Sequence, residues 1–169
     1  MSPLSRIAVL VLAFACADAI AQEPALQGTF VSAGTPKEAI DKAIDSATAK
    51  MNFLVRAVAK SRLKSTNPLY QRIEIGNDGT RITVRYDKGK PIVMPADGST
   101  VKWTRDDGEQ FDVSAHAQGA QLQQTFQAED GQRVNEFSLA PDGALTLAVT
   151  ITSPQLSAPL TYTLVYRRQ

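Results

Sequence analysis

The sequence predicts a mainly β domain: an antiparallel up-and-down meander of about nine or ten strands, curled into a barrel or half-barrel, with one long or bent N-terminal amphipathic helix packed on it. Three observations predict this. From Tyr70 onward apolar residues alternate with polar ones, the mark of strands with one face buried and one wet. Five Asp-Gly pairs, beginning at Asp78, Asp97, Asp107, Asp130 and Asp142, punctuate that stretch, and this dipeptide suits tight hairpin turns. Upstream, Ile40, Ile44, Ala47, Met51, Leu54 and Val58 follow one another at helical spacing.

The chain opens with the parts of an export signal in order. Arg6 gives a positive start, Ile7 to Ala15 form an uncharged apolar run, and Ala19-Ile20-Ala21 places small residues where a signal peptidase inspects them. The run is far short of the roughly 20 apolar residues of a membrane-spanning helix. The expectation is a cleaved signal peptide over 1–21 and an exported protein, periplasmic or secreted, that begins at Gln22. Cys16 follows Ala13 and Phe14, where a lipoprotein signal carries Leu and a small residue, so lipid anchoring at Cys16 is not expected. Cleavage removes this only cysteine, and with it disulfides, thiolate nucleophiles and Cys-based metal sites. Residues 22–169 are then expected to fold as one domain held by its core.

Within that domain 27–32 reads as a first strand, stopped by Gly34. Thr35-Pro36-Lys37-Glu38 has the residues of a helix start: Thr at the N-cap, Pro at the first helical position, Glu three residues after the cap. The helix is expected over 36–63, unbroken or bent near Asn52, with its whole apolar stripe on the core. Asn67-Pro68 closes it. The hairpin meander is expected over 70–167, with strands near 70–76, 80–86, 90–94, 99–105, 109–116, 120–128, 132–139, 143–152 and 159–167. Short connections make each strand pair with the next, and curling protects the edges.

Gly28-Thr29-Phe30 on the first strand, a helix after it, a run of hairpins, and Arg167 or Arg168 at the last strand resemble the calycin-type barrels. Fatty-acid-binding proteins share the order of strand, helical lid and nine strands; lipocalins share the opening, with Trp where Phe30 stands. The resemblance implies a barrel that binds small apolar molecules.

Chemistry is sparse. The charge is near balance, with a formal net of +1, which does not fit a nucleic-acid binder. His116 is the only histidine and has outward parity beside Asp112 and Ser114, so neither a His-based metal site nor a catalytic base is expected. Glycines sit singly in turns, which gives no phosphate loop and no sign of a nucleotide cofactor. In a meander, Asp87, Asp106, Asp107, Glu109, Glu129 and Asp130 share one rim, and Asp78, Asp97 and Asp142 the other. They read as turn chemistry before they read as a calcium site or an acid/base pair, with Lys88, Lys90, Arg105 and Arg133 neutralising the first rim.

Two groups remain as candidate sites. The strand aromatics Phe30, Trp103, Phe111, Phe126, Phe137 and Tyr162, with Tyr166, line a ligand cavity if the sheet closes around one and are core if it does not. Arg56, Lys60, Arg62 and Lys64 make the end of the helix basic, to complement its dipole or to contact an anionic membrane surface or an envelope partner. The sequence therefore points to an exported, non-catalytic module that holds a small apolar ligand between sheet and helix. An envelope interaction or structural module is the alternative, and an enzyme using rim carboxylates comes last.

Overall fold

Alternation of apolar and polar residues becomes strand along nearly the whole C-terminal stretch. The computed structural model describes residues 26–169; the export signal, Cys16 and the cleavage expected after Ala21 lie outside the described residues. Strand β1 (Gly28–Ala33) leads into two helices, α1 (Pro36–Thr48) and α2 (Phe53–Thr66). Nine strands follow: β2 (Arg72–Asn77), β3 (Arg81–Tyr86), β4 (Ile92–Pro95), β5 (Val101–Thr104), β6 (Gln110–Gln118), β7 (Gln121–Ala128), β8 (Gly131–Leu139), β9 (Ala144–Thr152) and β10 (Leu160–Arg168). Along β10 the pattern is complete, with Leu160, Tyr162, Leu164 and Tyr166 buried and Thr161, Thr163, Val165 and Arg167 exposed.

The strands form one antiparallel sheet in the order β4-β3-β2-β1-β10-β9-β8-β7-β6-β5. The first strand joins the last: Phe30 pairs with Arg168 and Ser32 with Tyr166, while Phe30 faces Ile73 of β2 on its other side. Strands β4 and β5 are the two edges. They pack near each other without a ladder, so the barrel is nearly closed. Both are four residues long, and Pro91 and Pro95 bracket β4, where a missing N–H cannot donate to a ladder.

Gly28 and Arg168 fasten the seam between β1 and β10. Arg168 lies over the Phe30 ring at 5.2 Å. Gly28 has φ of 140°, and a Cβ there would stand 3.0 Å from the Arg168 guanidinium. Arg168 could swing away from such a Cβ, so it is the backbone angle, one that L side chains rarely adopt, that favours glycine in the Gly-x-Phe opening.

The helical segment is two helices. Thr35 stands at the N-cap of α1, although its side chain makes no capping hydrogen bond. Helix α1 buries Ile40, Ala43, Ile44 and Ala47 against the barrel beside β10. The chain then breaks, and Asn52 restarts it by accepting from the Val55 N–H at 3.0 Å. Arg56 reaches back and donates to the carbonyls of Ala49 and Met51 at 2.7 and 2.6 Å, which satisfies groups the break leaves open. Lys60 pairs with Asp45 at 2.7 Å and Lys64 with Asp41 at 3.4 Å, holding α2 to α1.

The break corrects the single apolar stripe. A stripe stays on one face only while the axis runs straight. Beyond Asn52, Leu54 and Val58 face solvent at 77% and 71% exposure, and Phe53 at 82%. The face of α2 that borders the cavity is Val55, Ala59 and Leu63, with Met51 of the preceding break beside them, so of the expected stripe beyond Ala47, which Val55 widens, only Met51 and Val55 keep an inner position. Ile44→Ala should therefore lower stability by about 2–5 kcal/mol, whereas Leu54→Ala should change it by less than about 0.5 kcal/mol. Denaturant melts of the two variants check this, and similar losses would mean that both residues pack on the core.

Candidate functional site

The two ends of the barrel are filled differently. Connections alternate between them, so the turns before β3, β5, β7 and β9 lie at one end, and α1 and α2 lie at the other. Toward the first end the interior is packed solid by Phe30, Leu122, Phe137, Leu145 and Leu147, all buried. Under α2 it opens into a cavity of about 370 Å³, within the roughly 300–1,000 Å³ of ligand sites.

The cavity wall is mostly apolar. Trp103, Phe111 and Phe126 make one side, packed on one another with ring centroids 5.7 to 6.0 Å apart. Ile92, Ile151 and Leu156 continue the apolar wall, Val55, Ala59 and Leu63 of α2 roof it, and Arg62, Lys90, Arg105, Asp106, Glu109 and Asp130 also border it. Tyr70 and Tyr86 stack at 4.5 Å beside them.

A polar layer separates the cavity from the packed end. Gln124 pairs with Asn135 across β7 and β8, and both are fully buried. Tyr86 donates to Gln124 Oε1 at 2.6 Å and accepts from Asn135 Nδ2 at 2.9 Å; Gln124 Nε2 reaches Met94 Sδ at 3.5 Å. These groups satisfy one another, as a buried network must.

Arg133 sits at the edge of this layer, and its accessible surface faces the cavity. Its Nε donates to Asn135 Oδ1 at 2.8 Å, Nη1 to Asn67 Oδ1 at 3.0 Å, and Nη2 to the Tyr162 hydroxyl at 3.3 Å. Every one of these acceptors is neutral. Among the described residues no carboxylate forms an ion pair with Arg133. Burial works against its charge, but arginine keeps its proton throughout the physiological range, and the hydrogen bond to the Tyr162 hydroxyl favours the charged form. A sheltered, permanent cation therefore borders a mostly apolar cavity.

Of the six aromatics expected around a ligand, Trp103, Phe111 and Phe126 line the cavity. Tyr162 contributes its hydroxyl to the polar cluster, while Phe30 and Phe137 are buried in the packed end. Of the basic residues on α2, Arg62 lines the cavity mouth; Arg56, Lys60 and Lys64 bind α1 and the turn after it. His116 is exposed on the outer face, opposite Gln123.

Several rim carboxylates hold turns together, while Asp106, Glu109 and Asp130 also border the cavity. Asp87 accepts from the Gln71 and Arg72 N–H groups at 2.8 Å, Asp142 from the Ala144 N–H at 3.0 Å, and Asp107 and Glu109 pair with Arg105. Hydrogen bonds from Thr80 and the Arg81 N–H hold the Asp78 pKa down to about 2. Arg133 is a correction: it points into the barrel instead of neutralising the rim. Its parity carries this, since Arg133, Asn135 and Phe137 alternate on one face of β8 as Leu122, Gln124 and Phe126 do on β7. Polar residues at core parity are the signal that sequence reasoning missed.

No protein-family model matches the chain, and no curated protein matches it in sequence. Solved structures match its fold. Fatty-acid-binding protein 1 of Echinococcus granulosus aligns with a TM-score of 0.53 at 12% identity, covering 84% of this chain and 96% of that one. A Schistosoma mansoni fatty-acid-binding protein in complex with arachidonic acid gives 0.53 at 13% identity, covering 85% and 96%. Zebrafish ileal bile-acid-binding protein complexed with cholic acid gives 0.51 at 13%, covering 85% and 98%. The barrel has the fatty-acid-binding-protein fold, as the order of elements implied.

Burial raises the phenols of Tyr86 and Tyr166 well above their ordinary value. A phenol kept neutral by the fold stabilises it fully below the ordinary value of about 10. That contribution is lost as pH rises further, because the unfolded chain ionises first. Wild-type stability should fall more steeply than that of Tyr86→Phe between about pH 9 and 12, although Tyr86→Phe should itself cost about 1–2 kcal/mol at neutral pH. Parallel stability curves in denaturant melts would mean that Tyr86 ionises freely in the folded protein.

Proposed function

We propose that this protein is an exported, non-catalytic carrier of a small amphiphile with an apolar body and an acidic head, such as a fatty acid. One observation carries the reading: Arg133, bonded only to neutral groups, borders a mostly apolar cavity. A buried cation is stabilised far more by an anion than by amide and hydroxyl oxygens, and the aromatic wall suits a hydrocarbon body. The relatives in fold support the reading, since their names specify fatty acids and a bile acid, which are acids on apolar frames. Export rests on the N-terminal pattern of Arg6, the Ile7 to Ala15 run and Ala19-Ile20-Ala21. Titration with dodecanoic acid and dodecan-1-ol, on delipidated protein recovered from the cell envelope with Gln22 at its N-terminus, tests this. Arg133→Gln should weaken the acid roughly 10–100-fold, the worth of charged hydrogen bonds, and leave the alcohol nearly unchanged. Equal affinity for acid and alcohol in the wild type would retire the acidic head.

A second reading, which complements the first, is favoured by the outer face of α2. Phe53, Leu54 and Val58 stand exposed together, and between Asp45 and Glu74 the sequence has no acidic residue but includes Lys50, Arg56, Lys60, Arg62, Lys64 and Arg72. Apolar side chains on a cationic segment suit an anionic lipid surface. The reading is that the lid docks there to exchange its cargo. Cosedimentation with phosphatidylglycerol vesicles should fall at least about fivefold in Phe53→Glu, and with added salt; equal sedimentation with phosphatidylcholine vesicles would sink it.

A further inference from the structure

Asn67 is the last link between the lid and the barrel interior. It is the C-cap of α2, where its backbone N–H and its Nδ2 both donate to the Leu63 carbonyl, at 3.0 and 2.9 Å. Its Oδ1 points the other way, into the site. It accepts from Arg133 Nη1 at 3.0 Å and from the Tyr162 hydroxyl at 3.2 Å. The side chain is only 4% exposed. One oxygen thus receives a donor of Arg133, which lines the cavity, together with the Tyr162 hydroxyl behind it, and fixes the end of the lid to both. An acidic head group at Arg133 competes for the same guanidinium donor.

We infer that Asn67 Oδ1 is a built-in occupant of the anion site, which the acid of the ligand displaces, so that filling the site unfastens the C-terminal end of α2 from Arg133. This rests on the reading that Arg133 receives an acid. A neutral amide oxygen fits this role. It satisfies Arg133 when the cavity is empty yet yields to a carboxylate, whose hydrogen bonds to a guanidinium are roughly twice as strong. Competition of this kind lowers the affinity of the acid by whatever the Asn67 contact contributes, and it leaves a neutral amphiphile unaffected, because the alcohol does not need Arg133. The acid alone therefore couples occupancy to the lid.

Two substitutions that pull in opposite directions decide between the latch and its alternatives. Asn67→Asp puts a carboxylate within reach of Arg133 and should weaken dodecanoic acid at least about tenfold. Asn67→Ala removes the competitor and should tighten the acid about three- to tenfold. Both should keep dodecan-1-ol within about threefold of wild type. Simple damage to the lid would instead weaken acid and alcohol alike in both variants, and that pattern overturns the inference. A preference for the acid that Arg133→Gln abolishes, while both Asn67 variants keep wild-type affinity, overturns the latch and leaves the Arg133 reading standing. No preference for the acid in the wild type overturns both.

Discussion

Pairing between the first strand and the last shapes everything inside this barrel. A ten-stranded sheet with one apolar face curls to hide that face, but the seam decides where the curl ends. β1 sits between β2 and β10 and pairs antiparallel with both, so a short hairpin could join β1 to β2. The chain instead inserts α1 and α2 at that connection, and these two helices cover one end of the barrel and leave a cavity beneath α2. Gly28, Phe30 and Arg168 matter at this level: they let the two strands approach at the point where β1 begins.

The open end is possible because the polar layer stops the packing. Gln124, Asn135 and Tyr86 satisfy one another in the middle of the barrel, and apolar side chains cannot fill past them without stranding those groups. Arg133 extends the layer toward the cavity. A charge there is expensive to bury, and three neutral acceptors from β8, β10 and the end of α2 make it tolerable. The same arrangement leaves Arg133 with more to gain from an anion than from its present partners. Structural satisfaction and readiness to bind thus come from one set of hydrogen bonds.

How much of this is legible in the sequence follows from how far apart the partners lie. The strands can be read because alternation and Asp-Gly turns are local; each strand expected after Tyr70 is present within two residues of its bounds. A bend at Asn52 can be suspected, but not its effect, because apolar spacing continues across the break as if the helix were straight. Leu54 and Val58 therefore read as core. Among the aromatics, alternation reports which residues point inward but not which end of the barrel they occupy. Phe30 and Phe137 have the same inward parity as Phe126, and of the three only Phe126 meets the cavity. The contact between Asn67 and Arg133 spans 66 positions and depends on the lid path, which nothing local encodes.

The break at Asn52 also gives α2 two working faces. Had the stripe stayed continuous, Leu54 and Val58 would have been committed to the core beside Ile44 and Ala47, and no helix would roof the cavity. With the axis turned, Val55, Ala59 and Leu63 border the cavity, Val55 still half exposed, while Phe53, Leu54 and Val58 look outward. No residue of α2 is fully buried, so its position depends on a few polar ties: Arg56 to the end of α1, Lys60 and Lys64 to Asp45 and Asp41, and Asn67 to Arg133 and Tyr162. The ion pairs are exposed and individually worth about 0–1 kcal/mol. Asn67 is the one buried tie among these, and the one whose partner faces the cavity. A lid held mainly by weak outer contacts and one inner contact is most sensitive to whatever competes for that inner contact.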